Sequence, residues 1–417
     1  MAGGRLTPHN DPFEVSIAAT ASLLLPVDAD LGHVEDAKLA WSPPRGHGAS
    51  RMVWGRGPDT SGGSQRPLAA VALLREATLL RVRVRAPAGW NVVGVHRVPP
   101  RRVGGGAREV VRRLARSGAV VELARPGAPR RVLDAVVAEA GGTGPLERVT
   151  FGAGGSLLGR LETRSGRALL RVAPEGLPGG PLASAAALER LATAHIGQVP
   201  RLLGFGTVPG ATWSTESLLG GRRPKELTDR LVEDVARFLA RLPRHEGPPT
   251  SVSEDLDVVA AAFPEHADAL ASIGNDLVPR LTAVPTTTRH GDCWTGNVLA
   301  ADGRLVGVVD WDSSHPAAPA GVDLLHLLLT AERARTRRPL GSVWLERPWR
   351  RREHAAATAG YWEALGTHPG LDELDAVAVA GWAAQVSGDL QRSPGLSQHR
   401  RWVADNVEAV LKSIVHG

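Results

Sequence analysis

Cysteine is almost missing from this 417-residue chain, in which Cys293 stands alone. One thiol forms no intrachain disulfide and builds no cysteine-based metal site. A reducing compartment fits, and a cytoplasmic location is expected. Long apolar runs are missing as well. A membrane helix needs about 20 apolar residues; the longest candidate, around Val15 to Val27, is shorter and broken by Ser and Thr. It has no basic cluster ahead of it, as a secretory signal would. No membrane partner is expected. Lysine is scarce too: Lys38, Lys225 and Lys412 are the only three, so arginine is the default cation among the 49 basic residues. Aromatic residues make up only 4%. The scattered arginines therefore have no stacking platform beside them, and a nucleic-acid partner is not expected.

A hydrophobic fraction of 43% is ordinary for a globular protein, and the length is ample for two or three domains. Charge is uneven. Residues 1–145 carry 20 basic and 12 acidic side chains, against 29 and 31 in the remainder. A solvated basic surface accounts for this.

Residues 1–65 are irregular, with Gly, Pro and Ser clusters. Leu80 to Arg85 alternates strictly between apolar residues and arginine, the period of a half-exposed strand. Asn91 to Val95 and Ala119 to Leu123 read as strands, and 107–116 and 131–140 as helices. Together they suggest a small α/β domain over 1–145, for which no function is legible. The glycines at 104 to 106 lack G-x-G-x-x-G spacing. The run Gly141-Gly142-Thr143-Gly144-Pro145 is the expected linker. Beyond it, 146–218 reads as a β-rich lobe with one Ala/Leu-rich helix, 183–194. Residues 219–417 read as a mainly helical lobe, interrupted by a loop-and-strand segment at 288–312. The expected fold is α+β and bilobal, and a nucleotide fits a cleft between such lobes.

The strongest signal lies in the interruption. His290-Gly291-Asp292 is followed by Asn297, then by the apolar run Leu305 to Val309, then by Asp310-Trp311-Asp312. Phosphoryl transfer needs a group that orients the attacking hydroxyl, and hard oxygen ligands that hold Mg²⁺ against phosphates. An Asp in a loop, an Asn five residues on and a second Asp after the next strand supply those parts.

This H-G-D-x-x-x-x-N segment with its D-W-D resembles the catalytic and metal-binding segments of the aminoglycoside phosphotransferase and choline kinase group, relatives of the protein kinases. The resemblance spans about residues 147–417 and implies a protein-kinase-like fold, ATP and Mg²⁺ as cofactors, and a small-molecule hydroxyl as acceptor. It implies Asp292 as catalytic base, His290 as internal support of the loop, and Asn297 and Asp310 as Mg²⁺ ligands. Asp323 falls where the group has a structural Asp-Leu, and Asp312 is an assisting acid. Gly152, Gly154, Gly155 and Ser156 fall in a Gly-rich turn suited to phosphate, although a plain hairpin turn has the same composition. Backbone groups from Glu216 to Leu218 would hydrogen-bond adenine.

One position departs from the pattern. The third strand of the lobe ends where the group has its ATP-binding lysine, and here Arg171 stands. Its expected carboxylate partner is Glu189, eighteen residues on; a surface salt bridge is the plainer alternative. Arginine is planar and forked and does not simply replace lysine at a tight phosphate site. A nucleotide-binding protein that transfers nothing is therefore the second expectation. For the acceptor, the sequence offers the acidic cluster Asp372, Glu373 and Asp375, the pair Trp362 and Trp382, and the Arg-rich segment 333–352. Each also has a structural explanation: a helix N-terminus, core packing and a solvated insert.

Overall fold

The computed structural model describes strands at 13–17, 69–75, 80–84, 91–98 and 118–124, then residues 132–416 except 145, 152–155, 175–179, 210, 352–354 and 393. The chain forms two compact units. Unit 1 comprises residues 1–182 and 202–218; unit 2 comprises 183–201 and 219–417.

In unit 1, β1 (Phe13–Ile17) pairs antiparallel with β3 (Leu80–Val84). Strands β2 (Ala69–Arg75), β5 (Gly118–Ala124) and β4 (Asn91–Val98) form an antiparallel sheet in that order. The three strands read from the sequence here are among these five. The helix expected at 107–116 and the glycines at 104 to 106 lie outside the described residues. Helix α1 (Val132–Glu139) buries Leu133 and Val136, one turn apart, completely. It packs on the third sheet of the unit, which is five-stranded and antiparallel. The order there is β6 (Glu147–Phe151), β7 (Leu157–Thr163), β8 (Gly166–Pro174), β10 (Ala211–Ser217) and β9 (Leu202–Val208). The Gly-rich run expected as a linker is tied to this sheet. Gly141 takes a positive φ of 70° where α1 ends, Gly142 bridges Thr163, and the Thr143 N–H donates to the Glu162 carbonyl at 2.8 Å. Helix breakers serve a C-cap as well as they serve a linker.

Helix α2 (Gly180–Thr193) leads into unit 2. Helix α3 (Asp229–Leu239) starts at Thr228, whose hydroxyl accepts from the Leu231 N–H at 3.3 Å. Its buried residues Leu231, Val235, Phe238 and Leu239 recur at helical spacing. Next come β11 (Arg244–His245), α4 (Ser251–Ala262), α5 (Ala267–Arg280) and β12 (Thr286–Arg289). The hairpin β13 (Val298–Ala301) and β14 (Arg304–Val308) follows, then β15 (His315–Pro319). Helices α6 (Val322–Thr336), α7 (Leu340–Leu345), α8 (Ala355–Leu365), α9 (Leu371–Arg392), α10 (Arg400–Val403) and α11 (Ala409–His416) complete the unit. The strand content exceeds the expectation by a small sheet, β11-β12-β15. Its outer strands hold two and five residues, the latter rich in Pro and Ala, and carry no alternating apolar pattern. Asp234 on α3 accepts from both Arg304 nitrogens (2.6 and 3.0 Å), from the Leu305 N–H (3.2 Å) and from Arg237 (2.8 Å). That knot fixes β14 to α3.

Candidate active site

Strand β12 delivers the chain to His290, and the backbone there is held by a carboxylate. Asp323, in the first turn of α6, accepts the His290 N–H at 2.5 Å and the Gly291 N–H at 3.0 Å. One acidic side chain thus satisfies two successive donors of a loop that has no ladder to join. Gly291 turns at a φ of +84°, and a Cβ there would lie 2.0 Å from the Ser313 carbonyl oxygen. Only glycine fits this turn.

His290 is fully buried. Its Nδ1 accepts the Asp292 N–H at 3.2 Å, so the ring proton is on Nε2, which donates to the Val309 carbonyl at 3.0 Å. The ring meets Trp311 edge-on at 4.5 Å between centroids. Trp311 is itself fully buried and donates its indole N–H to the Val308 carbonyl at 3.0 Å. His290 therefore ties the loop to the end of β14.

Val309 completes the tie. Its N–H donates to the Asn297 carbonyl at 2.9 Å while its own carbonyl accepts from His290. The next residue is Asp310, so the backbone brings Asp310 alongside the segment carrying Asn297. Asp310 takes a φ of +75°, a left-handed conformation that an L-residue keeps only when its surroundings enforce it.

Asn297 is buried and donates Nδ2–H to the Asp292 carbonyl (2.9 Å) and to Asp292 Oδ2 (3.1 Å). The Nδ2 hydrogens are therefore committed to Asp292, and Oδ1 is the amide atom left to meet a cation. Burial pushes the Asp292 carboxyl up, but the facing imidazole of His326, the Arg392 charge and His290 outweigh it and hold the group below its usual range. Cys293 next to it is wholly buried, and burial with the neighbouring carboxylates of Asp323 and Asp292 pushes its thiol well up. It is a packing residue rather than a nucleophile.

Among the described residues no cluster of three or more His, Cys, Asp or Glu side chains suits a metal ion. Mg²⁺ does not require one: it is commonly held through one or two protein oxygens, with phosphates and water completing the shell. The Asn297 amide oxygen and the Asp310 carboxylate are hard donors of that kind, so the residues present fit the ion.

In unit 1, Gly152, Gly154 and Gly155 lie outside the described residues, and Ser156 is buried at the start of β7. Arg171 on β8 is 3% exposed and opposes Ser214 on β10. Its Nε lies 3.6 Å from Oε1 of Glu216, which is also buried. The carboxylate set against Arg171 inside its own sheet is thus Glu216, whereas Glu189, the expected partner, is exposed on α2. The physical reason is register: Ser214 and Glu216 project from the same face of β10, and β10 is the neighbour of β8. Leu218 is half-buried just after β10.

The acceptor candidates of the helical part resolve differently. Asp375 accepts from Arg347 (3.3 Å), from Arg350 and from the Trp349 indole (3.0 Å). It is neutralised from within. Trp362 and Trp382 are buried core residues. Within the Arg-rich segment, Arg335 and Arg351 pair with Glu332, and Arg338 and Arg351 with Glu346. One residue at the catalytic loop escaped the sequence reading: His326, whose Nε2 lies 3.6 Å from Asp292 Oδ1. Its only trace in the sequence is the three-residue spacing from Asp323, which puts both on one face of a helix.

Fold and loop together define a kinase-like phosphotransferase. Comparison with known proteins agrees: residues 159–377, just over half the chain, match the phosphotransferase enzyme family, and the chain belongs to that family. A search of the curated proteins gave no match. Solved structures that resemble it include aminoglycoside phosphotransferase APH(3'')-Id from Streptomyces rimosus, at 20% identity and TM-score 0.40, covering 60% of this chain and 96% of that one. Choline kinase LicA from Streptococcus pneumoniae is similar at 14% identity and TM-score 0.48, covering 68% and 98%. A fructosamine-3-kinase homologue from Haemophilus somnus is similar at 12% identity and TM-score 0.45, covering 64% and 90%. No helix among the described residues is long and apolar enough to cross a membrane.

Proposed function

We propose that this chain moves the γ-phosphoryl group of ATP to a hydroxyl of a small molecule. The observation that carries the reading is the built catalytic loop: Asp292 bonded to Asn297, and the loop backbone bonded to Asp323, in a member of a phosphotransferase family. Asp292 takes the proton of the acceptor hydroxyl as the acceptor oxygen bonds to the γ-phosphorus and the bond to the ADP oxygen breaks. Its carboxyl is held below the usual carboxylate range, against burial and chiefly by the facing His326, and a carboxylate can orient a hydroxyl. Asn297 through Oδ1 and Asp310 through its carboxylate are the Mg²⁺ ligands of this reading. Bound Mg²⁺ neutralises phosphate charge. His290 supports the loop. Arg171 serves as the phosphate cation, with Glu216 rather than Glu189 as its carboxylate. Backbone from Gly152 to Ser156 meets phosphate, and backbone from Glu216 to Leu218 meets adenine.

A second reading is favoured by one observation. Arg171 is buried against Glu216, and a guanidinium held that way suits nucleotide binding without transfer. Thermal unfolding and ATP consumption separate the two. With Mg²⁺ and ATP at about 100 times the dissociation constant, a folded-state ligand adds about 2.7 kcal/mol of apparent stability. The transferase reading expects that gain to depend on Mg²⁺, to vanish in Asp310→Asn, and to come with ATP consumption that Asp292→Asn lowers by about 10²- to 10⁴-fold. Stabilisation without consumption supports the second reading. No stabilisation overturns both.

A further inference from the structure

Helix α6 carries Asp323 and His326 one turn apart, so both face the catalytic loop. The task of Asp323 is visible in its two backbone bonds. That of His326 is not. Its side chain is nine-tenths buried, its Nε2 has no hydrogen-bond partner, and that atom lies 3.6 Å from Oδ1 of Asp292. A histidine that serves only as core normally finds a partner for its ring nitrogens.

The neighbouring groups leave Asp292 as the partner. On the loop, both ring nitrogens of His290 are taken, by the Asp292 N–H and the Val309 carbonyl. On α9, Arg392 donates to Asp389 at 3.0 Å. On α6 itself, Asp323 is engaged by the loop backbone. Around the ring, α7, α9 and α10 contribute Trp344, Trp382, Gln385 and Trp402 to a cavity that His326 and Asp389 also line. Asn297 already holds Asp292 Oδ2. A separation of 3.6 Å is too long for a hydrogen bond, but catalytic contacts in substrate-free enzymes are often long and tighten in the Michaelis complex.

We propose that His326 is a positioning residue for phosphoryl transfer, donating Nε2–H to Oδ1 of Asp292 in the loaded enzyme, so that Asn297 and His326 hold the carboxylate at its two oxygens. Held at both ends, the carboxylate cannot rotate about Cβ–Cγ and meets the acceptor hydroxyl in one geometry. His326 transfers no proton in this role; the acceptor proton still passes to Asp292. The proposal rests on the reading of Asp292 given above.

The test is a double-substitution cycle on the full chain. Mg²⁺ and ATP are supplied, water is the probe acceptor, and phosphate release is measured for wild type, His326→Leu, Asp292→Asn and the double variant. His326→Leu is expected to lower kcat by about 10- to 100-fold with the KM for ATP unchanged. His326→Gln, which keeps a donor of similar reach, is expected to recover most of the loss. In the Asp292→Asn background the His326 substitution should add nothing. Wild-type turnover in His326→Leu beside an inactive Asp292→Asn overturns this proposal alone. So does an equal loss in both backgrounds, or a change confined to KM. Wild-type turnover in Asp292→Asn overturns the reading of Asp292 and this role with it. If His326→Leu does not fold, His326→Gln and the shorter His326→Asn run the same cycle: Gln is expected to exceed Asn in kcat, and equality overturns the proposal.

Discussion

In unit 1 a guanidinium and a carboxylate, Arg171 and Glu216, are shut inside a sheet and exposed by only 3% and 2%. In unit 2 the comparable groups, Asp292 and Asn297, sit on a loop whose backbone is bonded from outside by Asp323 and Val309. The contrast concerns what holds a polar group in place. Within the sheet, strand register sets one buried charge against the other. On the loop, bonds to neutral backbone fix the path of the chain, and the Asp292 carboxylate stays partly exposed, at 26%.

Three experiments break or sharpen this comparison. The largest effect belongs to unit 1. Arg171→Ala should cost about 3–5 kcal/mol of stability in denaturant unfolding, because it removes one member of a buried ion pair. The double variant Arg171→Met with Glu216→Leu should recover most of that loss while giving up nucleotide-dependent stabilisation. A double variant that still responds to Mg²⁺ and ATP would make the pair structural and remove Arg171 from the phosphate site.

Gly291→Ala comes next and probes the loop. Its Cβ would overlap the Ser313 carbonyl, and the turn must open to admit it. A cost of about 1–3 kcal/mol is expected from the left-handed backbone, together with a loss of turnover near 10²-fold from the displaced Asp292. Stability and kcat both within about twofold of wild type would show that the loop is looser than its bonds imply.

The smallest effect is a pH dependence at the Asp234 knot. The Arg304 hydrogen bond is the largest influence on this carboxyl; burial opposes it, and the Leu305 N–H with the Arg304 and Arg237 charges hold the group below its ordinary 3.8. A depressed carboxyl contributes stability above its unfolded-state pKa, and that contribution fades as pH falls through the lower folded value. Wild type should therefore exceed Asp234→Asn in Tm at pH 6, and the gap should narrow from about pH 4 downward. A constant gap would show that the knot does not act through the charge of Asp234.

Much of the candidate catalytic loop was legible because its pattern is local. Asp292 to Asn297 spans five residues, and the hairpin that brings Asp310 back is a short apolar run between turns. The β-rich character of 146–218 was legible as well, though the strand order of its sheet was not. Less local features were not legible. The Arg171 partner depended on which strand lies beside β8: spacing pointed to Glu189, and the strand order sets Glu216 against it. His326 carried only its three-residue spacing from Asp323, since the residue it faces is 34 positions away. The acidic cluster at 372–375 read chiefly as a helix N-terminus, and Asp372 and Glu373 do lie in the first turn of α9, while the arginines at 347 and 350 meet Asp375 only through the packing of helices.

Taken alone, the sequence determined the class of chemistry: hard oxygen donors at fixed spacing around one apolar strand, in an arginine-rich chain with a single cysteine. Tertiary structure decided which charges face one another. It set Glu216 against Arg171, aimed His326 at Asp292, closed Asp375 with its own arginines and buried Trp362 and Trp382. The division is physical. Spacing along the chain fixes what lies within one turn or hairpin, whereas the partner of a side chain across the fold is chosen by sheet order and helix packing, which minimise buried unpaired charge over the whole molecule at once.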